Sequence, residues 1–316
     1  MKRTALRKFS FLILLLLISG TGCATAKSLY DAVDKPKAST VSTAKPDKSA
    51  FKKKVLILPF LNQAGMTEER YQKVVTTFST LVEKDQNLLL DKSGDPIPST
   101  VKSRSPRFGI VIDPDVAKKA EEMGMNVLIT VVLNPVELTL IRTGIWPFRK
   151  LKREIEMSMV VNALDITNGT LFLTHIESEK MRFAVDEIEE EEEPKKPGIP
   201  EINDKTFNKL WSPIIERQAS ALRVALRNQP WTGRILSADN QTVIINAGKD
   251  VGLATGSVFE VFGRGDPVRS ASGRSIYLLG PKVGEIKTVN VMQDRTSAIP
   301  LTEARFKAGQ LIRMKN

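Results

Sequence analysis

REIEMSMVVNALDI, residues 153–166, runs straight into TNGTLFLTHIESEKMRF, residues 167–183. In the first run Ile155, Met157 and Met159 alternate with Glu154, Glu156 and Ser158. That is the period of a strand with one covered face and one wet face. Asn168-Gly169 stands between the runs, a pair suited to the positive φ angles of a tight hairpin turn. The stretch predicts an antiparallel hairpin. It decides the fold because the residues before it follow a different rule.

Upstream, KKKVLILPF (52–60) holds a continuous apolar run, Val55 to Leu58, closed by Pro59. Such a run predicts a strand buried on both faces. TEERYQKVVTTFSTLVEKD (67–85) predicts a helix, with Thr67 as cap, Glu68 and Glu69 in the first turn, and an apolar stripe of Tyr71, Val74, Val75, Phe78, Leu81 and Val82. NLLLDK is a second strand, and residues 93–109, rich in Pro, Ser and Gly, are a loop. DPDVAKKAEEMG (113–124) is a helix with Asp113 as cap, Pro114 at its first position and Gly124 at its end. NVLITVVL (126–133) is another buried strand. Strand, helix, strand, helix, strand and then a meander predict an α+β fold: a mixed sheet with helices packed on it.

Downstream, DEIEEEEEPKKPGIP (186–200) carries seven acidic residues between Asp186 and Glu193 and reads as a solvated, self-repelling surface loop. INDKTFNKLWSPIIERQASALRVALRN (202–228) is a long amphipathic helix starting near Asn203, with Phe207, Leu210, Trp211, Ile214, Ile215, Leu222, Ala225 and Leu226 inward and Pro213 as a kink or a boundary. From Gln229-Pro230 onward helical periodicity disappears, and short strands separated by glycine predict a small all-β barrel or sandwich over 229–316.

The N-terminus has its own layout. MKRTALRK is basic, FLILLLLI (11–18) is apolar, and SGTG leads to Cys23, the one cysteine of the chain. This is the plan of a secretory signal. The apolar run is far short of the roughly 20 residues that span a bilayer. Small residues ending on a cysteine resemble a bacterial lipobox, with Gly20 where Leu is usual. The resemblance implies cleavage before Cys23 and acylation of its thiol, so the covalent lipid is the only expected cofactor. Ala24, in place of an Asp, implies the outer membrane, periplasmic face. The expected organisation is 1–22 lipoprotein signal peptide, 23–50 flexible tether rich in Ala, Ser, Thr, Lys, Asp and Pro, 51–228 α/β envelope domain including the acidic loop, and 229–316 β domain.

Composition narrows the function. The net charge is +11, but Lys2, Arg3, Arg7 and Lys8 belong to the signal, Trp and Tyr number three each, and the densest charged run is acidic. A nucleic-acid surface needs a basic stripe interleaved with aromatics, so none is expected. His175, the only histidine, reads as a strand side chain. No Gly-x-Ser-x-Gly elbow accompanies it. One Cys and one His cannot build a zinc site. GKDVGLATGS lacks the Gly-Lys-Ser/Thr of a phosphate loop, and GRGDP (263–267) reads as a hairpin tip. No enzyme is expected. GIWPFRKLKR (144–153) is the one conspicuous surface candidate: Trp146 and Phe148 beside Arg149 and Lys150, followed by Lys152 and Arg153. Aromatics beside cations suit a membrane or partner contact. The competing reading tucks both rings into the core.

Two family resemblances bear on the whole. KKVLILPF, with Leu58-Pro59-Phe60, and NALDITNGTLFLT (162–174) resemble the α/β domains of the Tol-system protein B amino-terminal region and the curli secretion channel subunit. The C-terminal block resembles the C-terminal domain of flagellar assembly protein T in Asn246 and Gly248, Gly252-Leu253 with Gly256, Val283-Gly284-Glu285, and Gly309 to Ile312. Together they imply a non-enzymatic structural or assembly component of the envelope, in its narrower form built like a flagellar basal-body ring, whose partners are the outer membrane, other envelope proteins, the basal body or further copies of itself. The alternatives are a curli-type pore, for which LNPVELTLIR and EIEMSMVVNA are the nearest membrane-crossing strands, and a lipoprotein activator of cell-wall synthesis.

Overall fold

The computed structural model describes residues 51–91, 114–184, 203–269 and 275–315. Cys23, the signal and tether, Asp113 and the acidic loop lie outside them. Residues Asp47–Asn316 make one compact unit. The elements are β1 (Lys53–Ile57), β2 (Leu61–Asn62), α1 (Glu68–Glu83), β3 (Leu88–Leu90), α2 (Pro114–Glu122), β4 (Val127–Leu133), β5 (Glu137–Thr143), β6 (Lys150–Asp165), β7 (Thr170–Ala184), α3 (Asp204–Asn228), β8 (Gly233–Ala238), β9 (Val243–Ile245), β10 (Val258–Arg269), β11 (Ser275–Val291), β12 (Thr296–Pro300) and β13 (Leu311–Met314). The fold is α+β: a seven-stranded mixed sheet with helices, and a closed six-stranded antiparallel barrel.

In the sheet, β1 runs parallel to both β3 and β4, and β4 pairs antiparallel with β6. All seven residues of β4 are buried, as a central strand covered on both faces must be. Its alternate side chains enter two cores. Val127, Ile129, Val131 and Leu133 join Val74 and Phe78 of α1 and Phe207, Trp211 and Leu222 of α3. Leu128 joins Val116 and Ala120 of α2. Of the two helix starts, Asn203 caps α3 by accepting from the Thr206 N–H at 2.9 Å, whereas Thr67 makes no side-chain cap bond. The α3 helix runs through Pro213 unbroken to Asn228.

β6 is the long member. It pairs with β7 from Lys152 to Asp165, with β4 from Met159 to Asp165, and with β5 from Lys150 to Glu156. Sixteen residues of strand span about 50 Å. Its Asp165 end lies against the barrel, and its Lys150 end carries the β5–β6 connection away from it.

The barrel order is β10-β11-β12-β9-β8-β13. Phe259, Val261, Ile286, Ile245 and Ile312 fill it. Phe51, at the start of the described chain, packs tilted against Trp231 and Phe259, with ring centroids 5.1 and 5.9 Å away. Lys54 pairs with Asp250 at 2.7 Å, and Asn126 accepts from the Lys54 N–H and donates to the Thr232 carbonyl. Glu121 of α2 pairs with Arg234 and Arg264, and burial beside Arg264 pulls the Arg234 guanidinium down to about 10. Three glycines of the barrel have backbone reasons. Gly252, Gly256 and Gly309 have φ of +90°, +88° and +86°, where a side chain is strained. GRGDP does not form a hairpin tip: residues 263–267 lie inside β10, where Gly265, and Gly280 on the facing strand, let the bulged β10–β11 backbones approach. Its Arg264 lies over the Tyr277 ring at 3.6 Å.

Candidate functional site: the tip of the β5–β6 arm

Past the reach of β4, β5 and the first half of β6 form an arm with β7. All of β5 is exposed or half-exposed. The register places Leu138 opposite Ile155, Leu140 opposite Arg153 and Leu151 opposite Arg142. Side chains on one face of a strand recur every second residue, so Leu138, Leu140 and Leu151 share the face of Ile155 and Met157. Lower down that face is buried in the core with α3. At the arm it is open, and all three leucines are exposed.

The tip is a built turn. Gly144 has φ +112°, and a Cβ there would lie 2.8 Å from the Phe148 carbonyl oxygen. The Phe148 N–H donates to the Ile145 carbonyl at 2.7 Å, and the Trp146–Pro147 peptide is cis. This is a type VI turn, with proline third of four. It leaves Ile145, Trp146 and Phe148 84%, 78% and 82% exposed. Both rings stand in solvent, and the core-tucked reading does not describe this loop.

Charge is unevenly spread along the arm. Residues 138–153 contain Arg142, Arg149, Lys150, Lys152 and Arg153 and no acid. Nearer the core the acids are matched. Glu154 meets Arg182 at 2.7 Å and Lys180 at 3.9 Å, and Glu156 meets Lys180 at 3.1 Å. On the helix side Arg217 holds Glu177 and Glu179 at 2.6 and 2.7 Å. Among the described residues none of the five tip cations is ion-paired.

Of the residues singled out by sequence, Trp146, Phe148, Arg149 and Lys150 come together at this tip, while Cys23 lies outside the described residues. Ile145, Leu138, Leu140, Leu151 and Arg142 belong to the same surface and were not singled out. The alternation in ELTLIRT marks a strand but cannot show which face lacks cover. His175 serves the fold: its Nδ1 lies 3.1 Å from Gln218 Oε1, and the buried Gln218 donates to the Met159 and His175 carbonyls. A shallow cleft at the barrel end is lined by Lys53, Asn126, Asp165 and Thr167, and burial pushes the Asp165 carboxyl up. Among the described residues no group of three His, Cys, Asp or Glu could hold a metal ion, and no helix is long and apolar enough to cross a membrane.

No family model and no curated protein matches the chain. Among solved structures it is similar to a hypothetical protein from Chlamydia trachomatis, at 14% identity over 55% of this chain and 95% of that one, with a TM-score of 0.34. It is similar to a lipoprotein from Neisseria meningitidis at 13% identity, over 53% of this chain and 99% of that one, with a TM-score of 0.28. TolB from Acinetobacter baumannii is a third, at 11% identity, over 86% of this chain and 61% of that one, with a TM-score of 0.26.

Proposed function

We propose that this chain is a non-enzymatic lipoprotein of the outer membrane, held on its periplasmic face through Cys23 and acting as a structural or assembly component of the envelope. The observation that carries the reading is the exposed arm tip. A compact body that spends a built turn, two aromatic rings and an isoleucine on solvent presents a contact surface rather than a reaction centre. The anchor supports it from the sequence side, because Cys23 closes a basic, apolar and small-residue leader. Two acyl chains hold a protein stably, and a weak contact made by a tethered protein gains from high local concentration. The flagellar ring-like role is the narrower form of this reading and rests on the glycine pattern of the barrel. The curli-type pore fits less well, since β5 has 7 residues against the roughly 9–11 of a crossing strand.

Fractionation of intact cells after a high-salt wash tests it. The wild-type chain is expected to sediment with the outer membrane, and the Cys23→Ser chain to leave it for the soluble periplasmic fraction. Equal membrane retention of the two would overturn the proposal.

A further inference from the structure

The geometry points to the occupant of the arm tip: an anionic phospholipid surface, into whose headgroup layer Ile145, Trp146 and Phe148 insert while Arg142, Arg149, Lys150, Lys152 and Arg153 meet the phosphates. This deepens the tethered-lipoprotein reading and rests on it. Three observations favour lipid. The apolar side chains sit on a protruding turn, a shape that enters a soft layer, and 78% to 84% of each is bare. Aromatic rings with flanking cations match the chemistry of the membrane–water interface, where rings sit at headgroup level and Lys and Arg reach phosphate. The five cations have no acid among them from 138 to 153, so an anionic surface is complementary along the β5–β6 connection; the acids of 186–193 follow in sequence from Ala184, the register partner of Lys152. Tip-to-tip docking of two copies would bring like charges together.

Covalent geometry permits both contacts at once. The tip lies at the end of β6 away from the barrel, and Phe51 packs at the barrel. The strand between them spans about 50 Å. The chain from Cys23 to Phe51 can reach roughly 90–100 Å when extended. The anchor and the arm can therefore meet one membrane.

Trp146 makes this measurable. The chain has three tryptophans, and the other two, Trp211 and Trp231, are 1% and 4% exposed. The acylated full chain is mixed with phosphatidylcholine vesicles, with or without phosphatidylglycerol, carrying brominated acyl chains as quenchers. On anionic vesicles Trp146 emission is expected to shift to the blue and be quenched, and Trp146→Phe to abolish the quenchable part. Arg149→Gln with Lys150→Gln should lower the ratio of inserted to free tip about 30-fold, from roughly fivefold per cation near an anionic surface, more so at low salt. Trp146→Ala with Phe148→Ala should lose the quenching and keep its Tm. A chain that sediments with vesicles while Trp146 stays unquenched overturns the arm proposal and leaves the anchor standing. A chain that binds no vesicle overturns both. Equal quenching on neutral vesicles, a blue shift that grows with protein concentration without lipid, or a large Tm loss in the double variant each overturns the arm proposal.

Discussion

Trp211→Ala is expected to remove about 3–5 kcal/mol of folding stability and to lower Tm by roughly 10 °C. Trp211 is the largest fully buried side chain, on the inward face of α3 with Phe207 6.2 Å away. Its removal opens a void bounded by the sheet and α1, whose side chains are fixed by their own elements. The indole N–H makes no hydrogen bond although it is buried. Trp211→Phe therefore gives up volume but no polar contact, and should cost only about 1 kcal/mol. Urea unfolding of both variants checks the argument. Equal losses would mean that something other than core volume sets the cost.

Gly248→Ala is the second large effect, at about 3 kcal/mol, the upper end for forcing extra volume into a filled site. A Cβ at this position would lie 2.4 Å from the Met292 carbonyl oxygen and 2.5 Å from that of Gln293. Those oxygens accept from the Lys249 and Asp250 N–H groups at 2.9 Å each. They cannot retreat without opening the hydrogen bonds that hold the short helical turn before Gly252. Gly256→Ala is the control: nothing lies within 4 Å of its Cβ position. Only its positive φ is penalised, by about 1 kcal/mol. Parallel denaturant curves distinguish the two, and a Gly248→Ala chain as stable as wild type would contradict the close backbone approach.

The same pairing of a glycine with a neighbouring backbone explains what was legible in advance and what was not. Patterns set by one element's own period came through: Ile155, Met157 and Met159 are buried, and the Asn168-Gly169 turn stands between β6 and β7. So did the fold class, since β4 reads as covered on both faces and the C-terminal block as all strand, although β10 and β11 run to 12 and 17 residues rather than being short. Features set by a second element did not. The glycines of GRGDP look like turn residues, yet both lie in a strand, and Gly265 stands where the partner backbone comes close. Thr67 has the right chemistry for a cap but not the bond, because capping depends on how the chain enters the helix. Gln218 falls within the apolar face of α3 because the Met159 and His175 carbonyls of the sheet need its amide. For the tip, composition marks Trp146, Phe148, Arg149 and Lys150, but whether the rings are buried depends on where α3 begins over the sheet, and no local pattern encodes that. The apolar stripe of Leu138, Leu140 and Leu151 was hidden for the same reason.

Metabolic labelling with palmitate tests the central claim most directly. Label is expected on the wild-type chain, released with a mature N-terminus at Cys23, and absent from Cys23→Ser. A wild-type chain that matures without taking up label would contradict a lipid-tethered body and, with it, the place of the arm at a membrane.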